Sequence, residues 1–138
     1  MRGLASFVSL GALVLCSRGA PRRDRDRLER AGVEVVPVPV RRGRIDIARA
    51  LEILGARNLR SLLVEGGGRL HGAFVAADAW SRIVLYMAPR ILGEGRPWLP
   101  DVHYATVSDA PRLWVEEQRR LGVDLLTVLS RVPSKSRA

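Results

Sequence analysis

The sequence predicts an α/β fold: a mixed, mostly parallel sheet flanked by helices and closed by a C-terminal antiparallel hairpin. Three observations carry this. Short apolar, β-branched runs alternate with stretches whose apolar residues recur every three or four positions. Glycine or proline punctuates most of the junctions. Near the end, two alternating segments flank a turn near Arg119–Gly122.

Taken in order, Ala12–Cys16 reads as a strand and Arg22–Ala31 as a helix stopped by Gly32. Val33–Val40 is β-branched, but Pro37 and Pro39 predict a strand that ends early or lies at an edge. "RRGR" is a turn. Ile45–Ala56 has a helical apolar face with Asp46 near its start. Leu59–Val64 is apolar on both sides, as a central, buried strand would be. Gly68–Ala77 reads as a helix through Leu70, Ala73, Phe74 and Ala77, and Ile83–Ala88 as a further strand. "ILGEGRPWLPD" is an irregular loop without a readable site, its Trp98 a packing anchor. In the hairpin, Leu113, Val115 and Glu117 point one way, with Val123, Leu125, Thr127 and Leu129 on the return and the turn near Arg119–Gly122. The order is βαβαβαβ followed by ββ. A length of 138 residues fits one domain, placed at 12–132 between an irregular lead, 1–11, and a polar, unstructured tail, 133–138.

The formal charge is +9, and Lys135 is the single lysine. A basic chain invites a nucleic-acid reading. No basic stripe with interleaved aromatics accompanies it, and Asp24, Asp26 and Glu29 dilute the arginine cluster "PRRDRDRLER". The reading is therefore no nucleic acid, with attraction for phosphorylated small molecules more in keeping. Cys16, the single cysteine, excludes an intramolecular disulfide and a thiolate zinc cluster within one chain. No metal site is assigned. Residues 1–20 read either as a secretory leader or as a short lead into a strand; the following helix and strand favour the second, because they complete a βαβ unit. The apolar run is too short to span a membrane.

The candidate site is "SLLVEGGGRLHGAF", Ser61–Phe74. A strand, a glycine turn and a helix start make an anion site, since the first helical N–H groups lack internal partners and face positive dipole charge. Glycines admit a phosphate to the backbone and permit positive φ. The spacing of Gly66, Gly67, Gly68 and Gly72 is neither the dinucleotide fingerprint nor the P-loop, and a tight packing turn remains the alternative. Glu65 would repel a phosphate but suits a neighbouring group that donates hydrogen bonds. Arg69 could pair with a phosphate or with Glu65. His71 reads as structural more readily than as a general acid.

The run "SLLVEGGGRLHGAFVAADAWSRIVLYMAPRILGEG" resembles the reductase domain of riboflavin biosynthesis, the C-terminal half of the bifunctional pyrimidine deaminase–reductase. The matching features are Leu62–Val64, Glu65–Gly67, Leu70 with Gly72, Asp78, Ile83–Met87, Ala88–Pro89 and Leu92–Gly93, and the likeness extends from about Ala12 to Val132. It implies a dihydrofolate-reductase-like fold, a cytoplasmic setting, NADPH as hydride donor, and reduction of the ribosyl group of a phosphorylated pyrimidine-type substrate to ribityl. It further implies that Glu65 binds substrate and that Gly66, Gly67, Gly68, Arg69, Leu70, His71, Gly72 and Ala73 bind the cofactor. No catalytic acid is named. The family's upstream strand with a Ser-x-Asp-Gly-like motif is not in this sequence, and Asp78 is followed by "AWS" rather than by a second acid. The expectation is a domain lacking its N-terminal part, so that binding is a firmer expectation than turnover. An edge strand and the late hairpin leave room for a homodimer.

Overall fold

The computed structural model describes residues 11–131. Most of the expected lead and all of the expected tail lie outside the described residues. The described residues form two compact units that divide between Leu62 and Leu63.

The first unit contains β1 (Leu13–Ser17), α1 (Arg22–Arg30), β2 (Glu34–Val38), β3 (Val40–Arg41), β4 (Arg44–Ile45) and α2 (Ile47–Gly55). β1 and β2 pair in parallel from Leu13↔Glu34 to Ser17↔Val38, the βαβ arrangement that the sequence predicts. Pro37 is tolerated because β2 has a single neighbour and the strand ends one residue later. Val38 is fully buried, and Val33 and Ala50 nearly so. At the "RRGR" turn, Arg42 and Gly43 have φ of 49° and 76°, the paired left-handed geometry of a two-residue hairpin loop between β3 and β4. This hairpin takes Ile45 out of the expected helix. α2 begins at Ile47, because Asp46 is its cap and accepts a hydrogen bond from the Arg49 amide at 3.3 Å. The same carboxylate lies 2.8 Å from Arg41 Nε.

The second unit contains α3 (Gly68–Ala76), β5 (Arg82–Met87), β6 (Leu113–Leu121) and β7 (Asp124–Arg131). β7 lies between β5 and β6 and is antiparallel to both. Its Leu126 is buried. β6 and β7 meet at Gly122–Val123, and Gly122 takes φ of 63°, so the hairpin turn falls just beyond the expected Arg119–Gly122.

Three expectations are corrected. First, the sheet is not mostly parallel. Among the described residues β1–β2 is the sole parallel pair, and the strands form three separate small sheets. β5 was expected to continue a parallel series, but it finds its ladder on β7, where Val84 meets Val128 and Tyr86 meets Leu126. Second, Leu59–Val64 forms no strand, and Leu59, Leu62 and Leu63 are exposed. Apolar residues on both faces make a strand suited to burial, but a ladder also needs a neighbouring backbone, and among the described residues none pairs with this segment. Third, Leu113, Val115 and Glu117 do not share a face. The register slips between Val115 and Glu117, leaving Glu116 as a bulge residue. Val115 therefore sits opposite Leu129 and Glu117 opposite Val128, on the other side of the sheet.

All three helices end alike. Gly32, Asn58 and Asp78 adopt positive φ. Their amides return to Glu29, Gly55 and Val75, and the next amide in each case bonds the carbonyl of Leu28, Leu54 or Phe74. This is the reverse-turn closure that satisfies the last helical carbonyls.

The Asp46 cap yields a test. Asp46→Ala should lower unfolding free energy by about 1–2 kcal/mol. Asp46→Asn keeps the acceptor and loses only the charge pairing with Arg41, whose own side chain is exposed, so it should cost less, about 1 kcal/mol at most. Urea unfolding of the two variants measures the difference.

Candidate functional site

The segment entering α3 is held by one side chain. His71 Nε2 lies 3.1 Å from the Val64 carbonyl oxygen, in a half-buried position. The helix thus reaches back over its own first turn and pins the chain one residue before Glu65. This is the structural part for His71 that the sequence favours over acid catalysis. Glu65 itself is exposed, and neither it nor Arg69 has an ion-pair or hydrogen-bond partner among the described residues.

Gly67 is the cap residue of α3, with φ of −68° and ψ of 170° and no side-chain hydrogen bond to the helix. The first internal bonds are those of the Leu70 and His71 amides to the Gly67 carbonyl, at 2.8 and 3.2 Å. The Gly68 and Arg69 amides stand ahead of these bonds and have no helical partner. Beside them a free carboxylate and a free guanidinium project from Glu65 and Arg69. The start of α3 therefore offers donors for an anion, with an acceptor for a hydrogen-bond-donating group three residues upstream of Gly68.

None of the three glycines needs positive φ, which corrects the expectation that the turn uses that freedom. Gly66 and Gly68 answer to space instead, and Gly67 to neither. A Cβ on Gly66 would lie 2.4 Å from Leu70 Cδ2, so the Leu70 side chain folds back against this glycine. A Cβ on Gly67 would meet nothing within 4 Å. A Cβ on Gly68 would lie 2.7 Å from the Trp98 carbonyl oxygen and 3.0 Å from both the Pro97 oxygen and Pro100 Cδ. Gly72 is buried, with Val102 3.5 Å from the position of an added Cβ, and Ala73 is half-buried. Gly66–Ala73 thus divide. Gly67 and Arg69 present the open side of the helix start, Gly68 contributes its free amide while packed against loop 97–100, and Leu70, His71 and Gly72 hold the turn together.

The structure adds a segment that the sequence left without a role. The loop 97–100 lies against Gly68, and it does so through backbone carbonyls, with the Trp98 ring half exposed. The signal was the pair Pro97 and Pro100 around Trp98, a stiff segment, but only the fold shows what it rests on.

The other end of α3 is anchored to β7. Arg131 forms a two-pronged ion pair with Asp78, through Nη1 to Oδ2 at 2.8 Å and through Nη2 to Oδ1, and Nη2 also donates to the Asp78 carbonyl at 3.1 Å. The guanidinium lies 4.7 Å from the Trp80 ring centre. The hydrogen bond from Arg131, with its charge, holds the Asp78 carboxyl below the ordinary carboxylate range. Asp78 takes φ of 56°, a conformation that Asp tolerates better than most residues.

Comparison with known proteins places this geometry. Among solved structures, the fold resembles a pyrimidine reductase-like protein from Corynebacterium diphtheriae, with a TM-score of 0.70, 21% identity, and coverage of 88% of this chain and 50% of that one. It also resembles Acinetobacter baumannii RibD, with a TM-score of 0.68, 17% identity, and coverage of 87% and 37%. The class of fold is the α/β fold that these two structures share. The family model described as "RibD C-terminal domain" matches residues 4–127, and the chain belongs to that family, the reductase domain of RibD. The riboflavin biosynthesis protein RibD of Bacillus amyloliquefaciens is 28% identical over 114 residues, which are 81% of this chain and 30% of the relative. That of Mycobacterium tuberculosis is 38% identical over 80 residues, 57% of this chain and 24% of the relative. The chain thus spans less than a third of the length of these curated relatives. No described helix is long and apolar enough to cross a membrane.

Two predictions follow from the ends of α3. Gly68→Ala must displace loop 97–100 and should destabilise the protein by about 1–3 kcal/mol, while Gly67→Ala, with open space around it, should stay within about 0.5 kcal/mol; urea midpoints compare them. The Asp78–Arg131 pair is favourable while Asp78 is ionised. Its contribution is complete above the unfolded carboxyl value, about 3.9, and disappears as pH falls through the lower folded value. The stability gap between wild type and Asp78→Asn should therefore be present at pH 7 and close at strongly acidic pH.

Proposed function

We propose that this chain, read as one reductase domain over 12–132, is an NADPH-dependent oxidoreductase of riboflavin biosynthesis. Its substrate is a 5-amino-6-(5-phosphoribosylamino)uracil-type compound, whose ribosyl group is reduced to ribityl. The observation that carries the proposal is the uncapped start of α3 beside the unpartnered Glu65. Two amides and Arg69 offer charge and donors to a phosphate, and the open space at Gly67 admits it. Glu65 accepts from the ring N–H or amino group of the pyrimidine. The residues fit the cofactor: Gly67, Gly68 and Arg69 would hold its phosphates, and His71, Gly72 and Ala73 keep that turn in shape. NADPH, when bound, supplies the hydride; the protein orients the two ligands. A cytoplasmic setting accords with this chemistry. A nucleotide-binding protein without turnover is the second reading, supported by the same open helix start, which binds an anion whether or not chemistry follows.

Gly67→Asp separates binding from folding. An aspartate at this cap should leave the helix intact or stabilise it by a few tenths of a kcal/mol, roughly, while its charge opposes the phosphate. NADPH affinity, measured by fluorescence titration, should fall at least about tenfold. Unchanged affinity in a folded variant overturns the assignment. With binding established, turnover of the pyrimidine substrate distinguishes the enzyme from the binding protein.

A further inference from the structure

We propose, on the reading of Glu65 as the acceptor for the pyrimidine, that His71 is the positioning residue of that carboxylate. Through one hydrogen bond it sets Glu65 at a fixed place beside the start of α3. Glu65 stands on a segment with little to hold it. No strand, helix or turn includes residues 63–67. Among the described residues, the backbone groups of 63–66 make no hydrogen bond to other backbone groups. The glycines that follow loosen the chain further, since glycine has the widest backbone freedom. A carboxylate so placed would be spread over many positions, and ordering it on binding would cost affinity. The contact of His71 Nε2 with the Val64 carbonyl oxygen, 3.1 Å, is the one hydrogen bond that residues 63–66 make among the described residues.

A carbonyl oxygen only accepts, so the ring nitrogen donates and carries the proton. The Val64 carbonyl and the Glu65 amide belong to one planar peptide unit. Fixing the carbonyl therefore fixes the direction in which the chain enters Glu65. On the other side, the Leu70 side chain folds against Gly66. Two consecutive residues of the first turn of α3 thus bracket Glu65, His71 on the peptide before it and Leu70 on the residue after it. The same turn begins with the free amides of Gly68 and Arg69. Acceptor and anion donors are consequently carried by one helix turn, rather than by a loop and a helix that move separately, and such support is what holds a binding group in productive geometry. The imidazole takes no part in the backbone bonds that form the helix start, which run from the Leu70 and His71 amides to the Gly67 carbonyl. Its loss is therefore felt at Glu65 more than at the amides.

Calorimetric titration of the full chain with NADP+ and, in its presence, with 5-amino-6-(5-phosphoribosylamino)uracil tests this. His71→Ala should weaken binding of the pyrimidine about three- to tenfold, the worth of one net hydrogen bond, and that of NADP+ by less. His71→Gln places a donor as many bonds from Cβ as Nε2 is, and should restore most of the affinity; His71→Asn, one bond shorter, should not. In a Glu65→Ala background, His71→Ala should cost less than about twofold more, because the group it positions is gone. Circular dichroism checks that each variant is folded; should His71→Ala not fold, the Gln and Asn variants decide. Equal loss of both ligands, a Gln variant no better than Asn, or an undiminished effect without Glu65 overturns the proposal and leaves His71 a support of the turn alone. Wild type that binds NADP+ but not the pyrimidine overturns the reading of Glu65, and the positioning role with it.

Discussion

The second unit depends on β7. Among the described residues it is the one strand there with a ladder on each edge, and it carries the buried Leu126. Its last residue, Arg131, grips the residue that closes α3. A β-strand so placed satisfies its backbone groups on both sides and gives its neighbours a template. The helix that bears the candidate site is then fixed from behind: the Asp78 turn is tied to β7, and the opposite end of α3 is the uncapped start at Gly67. Precision at the site comes from a contact at the opposite end of the same helix.

Much of this was legible from the chain. Helix ends were readable because glycine, Asn and Asp mark them chemically: Gly32 stops α1, and Asp46 starts α2. The hairpin at Gly122 was readable for the same local reason. What escaped the sequence was pairing. The run Leu59–Val64 has the composition of a central strand, yet composition says nothing of whether a neighbour is present. The bulge at Glu116 is equally silent, since a single extra residue inverts the faces of a strand without altering its residue types. The Arg131–Asp78 contact joins positions 53 apart, and no periodicity announces it.

The candidate site was legible in kind and not in detail. Three glycines before a helical run announce an unusual turn, and Glu65 beside them announces a carboxylate, which the structure leaves exposed. The sequence, however, treated Gly66 to Ala73 as one lining. The structure separates residues that leave the helix start open from residues that keep it folded. Gly67 and Gly68 are chemically identical and adjacent, yet one faces open space and the other a backbone carbonyl.

The run Leu59–Val64, unpaired among the described residues, has a colloidal consequence. An exposed, leucine-rich extended segment is a template for indiscriminate association between chains. Arg60 interrupts it as a gatekeeper, and the net charge of +9 sets neighbouring molecules against one another at long range. That protection is only as long as the screening length, about 8 Å at physiological salt and shorter in concentrated salt. The excess of arginine, ambiguous as a sign of what the protein binds, thus has a definite effect on how its molecules share a solution.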